Sequence, residues 1–116
     1  MVIKNILDMP SIQRHIHDGD GLALSTNLFG AEDFETKLRY VSYTVLPPAT
    51  SIGYHEHEVE CEEIYLILRG QGLFTLDGEI TEVRAGDVVV TGIGQHHGLE
   101  NDTCDDLVLF VFWVEK

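Results

Sequence analysis

Basic residues are scarce in this sequence. Seven Lys and Arg stand against twenty Asp and Glu in 116 residues, a formal net charge of −13 at pH 7 with histidine neutral. That deficit argues against nucleic acid or an anionic membrane as the main partner, because clustered Lys and Arg recognise both. Cysteine is also rare. Cys61 and Cys104 form no CxxC pair and read as reduced thiols. No apolar run approaches the ~20 residues of a spanning helix. Met1 to Pro10 carries one Lys and no long apolar stretch, so it does not read as a secretory signal, and the expected location is the cytoplasm. Sustained helical periodicity is missing as well. The best helical stretch, Ala31 to Lys37, is short and acidic.

What is present fits an ordinary globular domain: 44% hydrophobic and 23% charged residues. A chain of this length makes one domain over 1–116, read here as an N-terminal arm to about residue 37 and a barrel core from about 38 to 116. Gly, Pro and Asp punctuate short segments rich in Val, Ile, Thr, Tyr and Phe, the pattern of an all-β sandwich or barrel. Leu38 to Leu46 predicts a strand stopped by Pro47-Pro48, and Ser51 to His57 predicts another. Ile64 to Leu68 ends at Gly70-Gln71-Gly72. Leu73 to Leu76 and Ile80 to Val83 flank Asp77-Gly78, a two-residue hairpin signal. Val88 to Val90 and Leu107 to Val114 complete the set. Ile64 to Leu68 is apolar on both faces and Leu107 to Val114 is nearly so, whereas a half-exposed strand alternates. The N-terminal segment, a second subunit or both must cover the outer face, and a homodimer is expected.

Chemistry concentrates in the histidines. Residues two apart on a strand share a face, so His15/His17 and His55/His57 each suit convergence on one ion. His15 and His17 have no acidic partner placed by a motif and read as surface residues. His55 and His57 precede Glu58, Glu60, Glu62 and Glu63. A carboxylate further along the same extended strand would lie about 20 Å away. The chain must therefore turn through Glu58 to Glu62, so that Glu63 opens the next strand and returns beside the histidines. A third element, Gly92-Ile-Gly-Gln-His96-His97-Gly98, places two adjacent histidines after a glycine turn. Neighbours on a strand point to opposite faces, so one of the two faces inward.

These residues resemble the cupin family. Gly53-Tyr-His55-Glu-His57, five residues, Glu63, six residues and Gly70 look like the first cupin motif. Gly86, five residues, Gly92-Ile-Gly-Gln-His96-His97-Gly-Leu-Glu-Asn101 look like the second. The first motif here has a longer loop before its glutamate, which leaves Glu62 as a rival to Glu63, although the spacing to Gly70 favours Glu63. Its opening glycine, Gly53, stands closer to the histidine pair than is usual. Gly92 stands where the second motif usually has Pro.

The resemblance implies a double-stranded β-helix, or jelly-roll barrel, and a divalent metal held by His55, His57, Glu63 and His97. Three imidazoles and one carboxylate suit Mn, Fe, Co, Ni, Cu or Zn and carry too much nitrogen for Mg or Ca. Four protein ligands leave two positions of an octahedron for a chelating small molecule. The implied function is Lewis-acid chemistry on a small oxygenated metabolite such as a sugar derivative, hydroxy acid or keto acid, by an isomerase, lyase or decarboxylase, or else a dioxygenase reaction. The alternative is a non-catalytic binding or sensing module. Arg39, Tyr43, Tyr54 and Tyr65 are candidate pocket groups, with Arg39 suited to a substrate carboxylate; no catalytic residue is named.

Overall fold

In the computed structural model, which describes residues 2–116, ten strands form two antiparallel sheets. They are β1 (Ile12–Arg14), β2 (Ala23–Gly30), β3 (Leu38–Leu46), β4 (Ser51–Glu56), β5 (Cys61–Arg69), β6 (Gln71–Leu76), β7 (Glu79–Arg84), β8 (Val88–Thr91), β9 (His96–Glu100) and β10 (Leu107–Glu115). One sheet runs β1-β2-β3-β10-β5-β8 and the other β4-β9-β6-β7. This is the all-β jelly roll implied by the sequence. The stretch 31–37, which had the best helical pattern, forms only a 3-10 turn, Ala31–Asp33.

Alternation sets which side chains enter the core. On β3, Ser42, Thr44 and Leu46 are buried while Val41, Tyr43 and Val45 face outward. Register carries that parity across the sheet. Tyr40 lies opposite Trp113 and Ser42 opposite Val111, while Trp113 pairs in turn with Glu63 and Val111 with Tyr65. Leu46, Ile67, Leu99, Leu107 and Leu109 fill the space between the sheets and are essentially inaccessible. The opposite face of the six-stranded sheet stays apolar, with Leu68, Val88 and Val90 substantially exposed. Strands β1 and β2 lengthen this sheet at its β3 edge.

The turns follow their residues. Asp77 and Gly78 both take positive φ, 46° and 83°, as a hairpin twisted with its strands requires. Gly70 sits at φ +87°, where a Cβ would meet the Asp106 carbonyl oxygen at 2.4 Å. Asn101 is fully buried, and its amide nitrogen donates to the carbonyls of Leu46 and Asp105. The two residues that close the sequence motifs are thus structural pins.

Candidate metal centre

The site is assembled by three pieces of chain. His55 lies on β4 directly opposite His97 on β9. A register shift between Ile52 and His55 adds an irregularity to β4. Bulges of this kind re-aim side chains. Here Ile52 is buried, Tyr54 is turned out to 52% exposure, and His55 is turned in. His57 follows just past the end of β4, and the acidic turn after it brings β5 back with Glu63 inward. Glu62 is exposed, whereas Glu63 is buried beside the histidines.

The donor atoms of His55, His57, Glu63 and His97 all lie within 4.8 Å of one another, and these four could hold a metal ion. His57 Nε2 is 3.2 Å from His97 Nε2. Glu63 Oε1 lies 3.4 Å from His57 Nε2 and 3.2 Å from His97 Nε2. Three of the four groups are oriented from behind. His55 Nδ1 donates to the Gly53 carbonyl at 2.6 Å, which leaves the lone pair on Nε2. That Nε2 is buried and has no partner. Thr91 Oγ1 lies 2.7 Å from His97 Nδ1, and the Tyr40 hydroxyl donates to Glu63 Oε2 at 2.5 Å. Outer partners of this type fix ring orientation at metal sites. An orphaned lone pair beside two facing imidazole nitrogens and a carboxylate is a poor arrangement for protein alone. Its donor chemistry fits a divalent cation.

Electrostatics agree with that reading. Burial alone would raise the Glu63 carboxyl, but hydrogen bonds from His57, His97 and Tyr40 hold it well below the usual carboxylate range. Burial pushes His55 down to about 4, against a smaller upward pull from its bond to Gly53. Burial, with Glu63 close by, pushes the Tyr40 hydroxyl far upward, so it stays a donor.

The remaining expectations sort unevenly. His96 is half-exposed and pairs with Glu56 at 3.2 Å, away from the cluster. Tyr65 is buried and stacks on His97 with ring centroids 5.2 Å apart. Arg39 does not enter the cavity: its Nε donates to Glu115 Oε2 at 2.8 Å. Tyr43 packs on Phe110 of the outer face, and Tyr54 is exposed and stacks on His96. Even-numbered β3 residues face inward, so the β3 tyrosine at the site is Tyr40. Both cysteines are free thiols. Cys61 is buried at the start of β5 and Cys104 is exposed.

Sequence reasoning missed His17. Its ring stacks on His55 at 3.4 Å between centroids and 11° between planes, and it lines the cavity beside the cluster. His17 and Asp18 take left-handed backbone, φ 50° and 58°. The 3-10 turn Ile16–Asp18 presses on β4 through two glycines. A Cβ on Gly53 would meet the His17 carbonyl oxygen at 2.0 Å, and one on Gly19 would meet that of Ser51 at 2.0 Å. The only sequence signal was the His15-x-His17 spacing. His15 itself is exposed.

Two of the four cluster residues, His57 and Glu63, line a cavity of about 620 Å³ on the inner face of the six-stranded sheet. Tyr40 and Trp113 line it beside them, and Lys4, Glu32 and Asp33 also line it.

Comparison with known proteins agrees with this architecture. The oxalate-binding protein of Thermotoga maritima is 36% identical over 107 residues, 92% of this chain and 88% of that protein. The crystal structure of a predicted oxalate decarboxylase from Thermotoga maritima superposes with a TM-score of 0.95 at 28% identity, over 99% of this chain and 100% of the other. The cupin domain of Schizosaccharomyces pombe Cnp3 has a TM-score of 0.80 at 12% identity, over 99% of this chain and 74% of the other, a likeness of fold alone. The family model described as Cupin domain matches residues 42–114, and the chain belongs to the cupin family.

Proposed function

We propose that this protein is a single-domain, metal-dependent cupin that binds a small oxygenated anion of the oxalate class. His55, His57, Glu63 and His97 hold the cation, of the Mn, Fe, Ni or Zn type. The observation that carries the reading is the buried, unpartnered Nε2 of His55, within 4.8 Å of three other donors, two of which, His57 and Glu63, line a cavity. Three neutral imidazoles and a carboxylate give the ligand set one negative charge, so a divalent cation leaves the site at +1. An octahedral cation held by these four side chains would keep two positions for the two oxygens of a chelating anion. The name of the Thermotoga maritima relative supports oxalate as the representative ligand.

When bound, the cation supplies Lewis acidity toward the chelated oxygens. The protein's own groups orient the site. Gly53 and Thr91 fix two imidazoles, and Tyr40 holds the second carboxylate oxygen of Glu63. Turnover of the chelated anion by decarboxylation or another Lewis-acid reaction is the second reading, favoured by the crystal-structure neighbour described as a predicted oxalate decarboxylase. The protein acts as a homodimer through the outer face of its six-stranded sheet. Its two free thiols suit the reducing cytoplasm.

The test begins with protein purified without chelators or immobilised-metal resin. Elemental analysis should find close to one divalent ion per chain, lost in His55→Ala and in His97→Ala. Oxalate at a hundred times its dissociation constant should stabilise the metal-loaded protein by about 2.7 kcal/mol and leave the metal-free protein unchanged. Retention of stoichiometric metal in both variants would reject the ligand assignment. Formate and CO₂ release from oxalate would establish turnover over binding alone.

A further inference from the structure

The cavity is larger than oxalate needs. Its volume of about 620 Å³ lies within the range of about 300–1,000 Å³ typical of pockets for drug-sized ligands, far beyond a two-carbon dianion. The extra space has a specific lining. Beyond Tyr40 at the cluster, the inward positions of β3 are Ser42 and Thr44, and β2 sets Asn27 opposite Ser42 and Ser25 opposite Thr44. Ser42 and Thr44 follow Tyr40 at strand spacing, about 7 Å for each pair of residues. All four side chains line the cavity.

An interior sheet face is ordinarily aliphatic, because an unsatisfied buried hydroxyl is costly. Ser25, Ser42 and Thr44 are 8%, 4% and 2% exposed, while Asn27, which also lines the cavity, is exposed. Among the described residues, none of the four side chains hydrogen-bonds to another residue. The fully enclosed unpartnered atoms are His55 Nε2 and Trp113 Nε1, so the three hydroxyls open onto the cavity. A cross-strand ladder of three hydroxyls and one amide therefore runs away from the cluster, with every donor and acceptor free.

We infer that the ligand is a short polyhydroxylated carboxylic acid. Its α-hydroxycarboxylate or α-ketocarboxylate head chelates the cation, and its hydroxyl-bearing tail lies on Ser42, Asn27, Thr44 and Ser25. This rests on the proposal that a chelating anion binds at the cation, and it names the class of that anion.

The test uses Mn²⁺-loaded protein and calorimetric titration with oxalate, glycolate, glycerate and threonate. The last three share one chelating head and differ in the number of tail hydroxyls. Affinity should rise from glycolate to threonate by about tenfold, the effect of one or two net hydrogen bonds. In a Ser42→Ala/Asn27→Ala double variant that rise should disappear, with glycolate affinity and Mn²⁺ content unchanged. Oxalate and glycolate binding with a flat series would overturn this inference and leave the chelation reading standing, the ladder then being a water-lined wall. A rise that survives the double variant would also overturn it. Binding of none of the four would reject the chelation reading and this inference together.

Discussion

An imidazole is best set to hold a cation when its remote nitrogen is engaged and its near nitrogen is bare. His55 meets both conditions, through the Gly53 carbonyl on one side and an orphaned Nε2 on the other. The same arrangement makes the metal-free protein sensitive to acid. His55 titrates near 4 in the folded chain and near its ordinary 6.5 when unfolded. Above pH 6.5 both states keep the ring neutral, and stability is complete. As the pH falls from 6.5 toward 4, the unfolded chain takes up a proton that the folded chain refuses, so stability declines. Glu63 acts in the same direction at lower pH. Its carboxylate is favoured in the fold, and the stability it contributes above its ordinary 4.5 is lost on further acidification. The melting temperature of metal-free protein should therefore fall between pH 6.5 and 4.5, and His55→Gln should remove much of that decline. A melting temperature flat across this window in the native sequence would refute the argument. The cluster residues were legible in the sequence because motif spacing fixes them. Arg39 and Tyr43 were misplaced because β3 offers mixed residues on both faces, and only its register with β10 decides that Tyr40, Ser42 and Thr44 point inward.

At the scale of elements, several strands between glycine and proline breaks could be read almost to the residue, as with β3 at Leu38–Leu46, whereas β5 begins three residues before the predicted Ile64 and β9 was not among the predicted strands. The segment before β3 could not. β1 has three residues, all exposed, and carries little pattern. The 3-10 turn that delivers His17 depends on left-handed backbone at non-glycine residues and on contact with a strand more than thirty positions away. That contact explains the position of Gly53, which sequence spacing alone left without a role. Its missing side chain lets the Ile16–Asp18 turn lie directly on β4, so His17 covers His55. Gly53→Ala should push the turn away, destabilise the protein by about 1–3 kcal/mol and weaken metal retention. Denaturant midpoints with and without added metal would measure both effects. An unchanged midpoint together with unchanged metal content would show that the turn does not brace the site.

At the scale of the molecule, the decisive feature is that β5 and β10, at the middle of the six-stranded sheet, are largely apolar on both sides. The inner face packs against the four-stranded sheet around Leu107, Leu109 and Ile67. On the outer face, Ile64 lies opposite Phe112 on one side and Val90 on the other, and Leu66 lies between Phe110 and Val88. The N-terminal strands could have covered this face. They pair edge-on with β3 instead and extend the sheet. A contiguous apolar surface of this kind marks an association site in a folded protein. A second copy is the occupant that the homodimer proposal assigns to it. Packing two such faces about a two-fold axis would match like with like, so an apolar patch meets its own equivalent without a complementary partner. The charge of −13 opposes non-specific association of copies, which leaves apolar contact across this one face as the driving force. Light scattering at neutral pH should give twice the 13.0 kDa chain mass. Phe112→Lys places a charge at the centre of the face, on the side away from the metal cluster, and should yield a folded monomer that retains its metal. A native species at the single-chain mass, or a Phe112→Lys variant that stays dimeric, would move the interface elsewhere or abolish it.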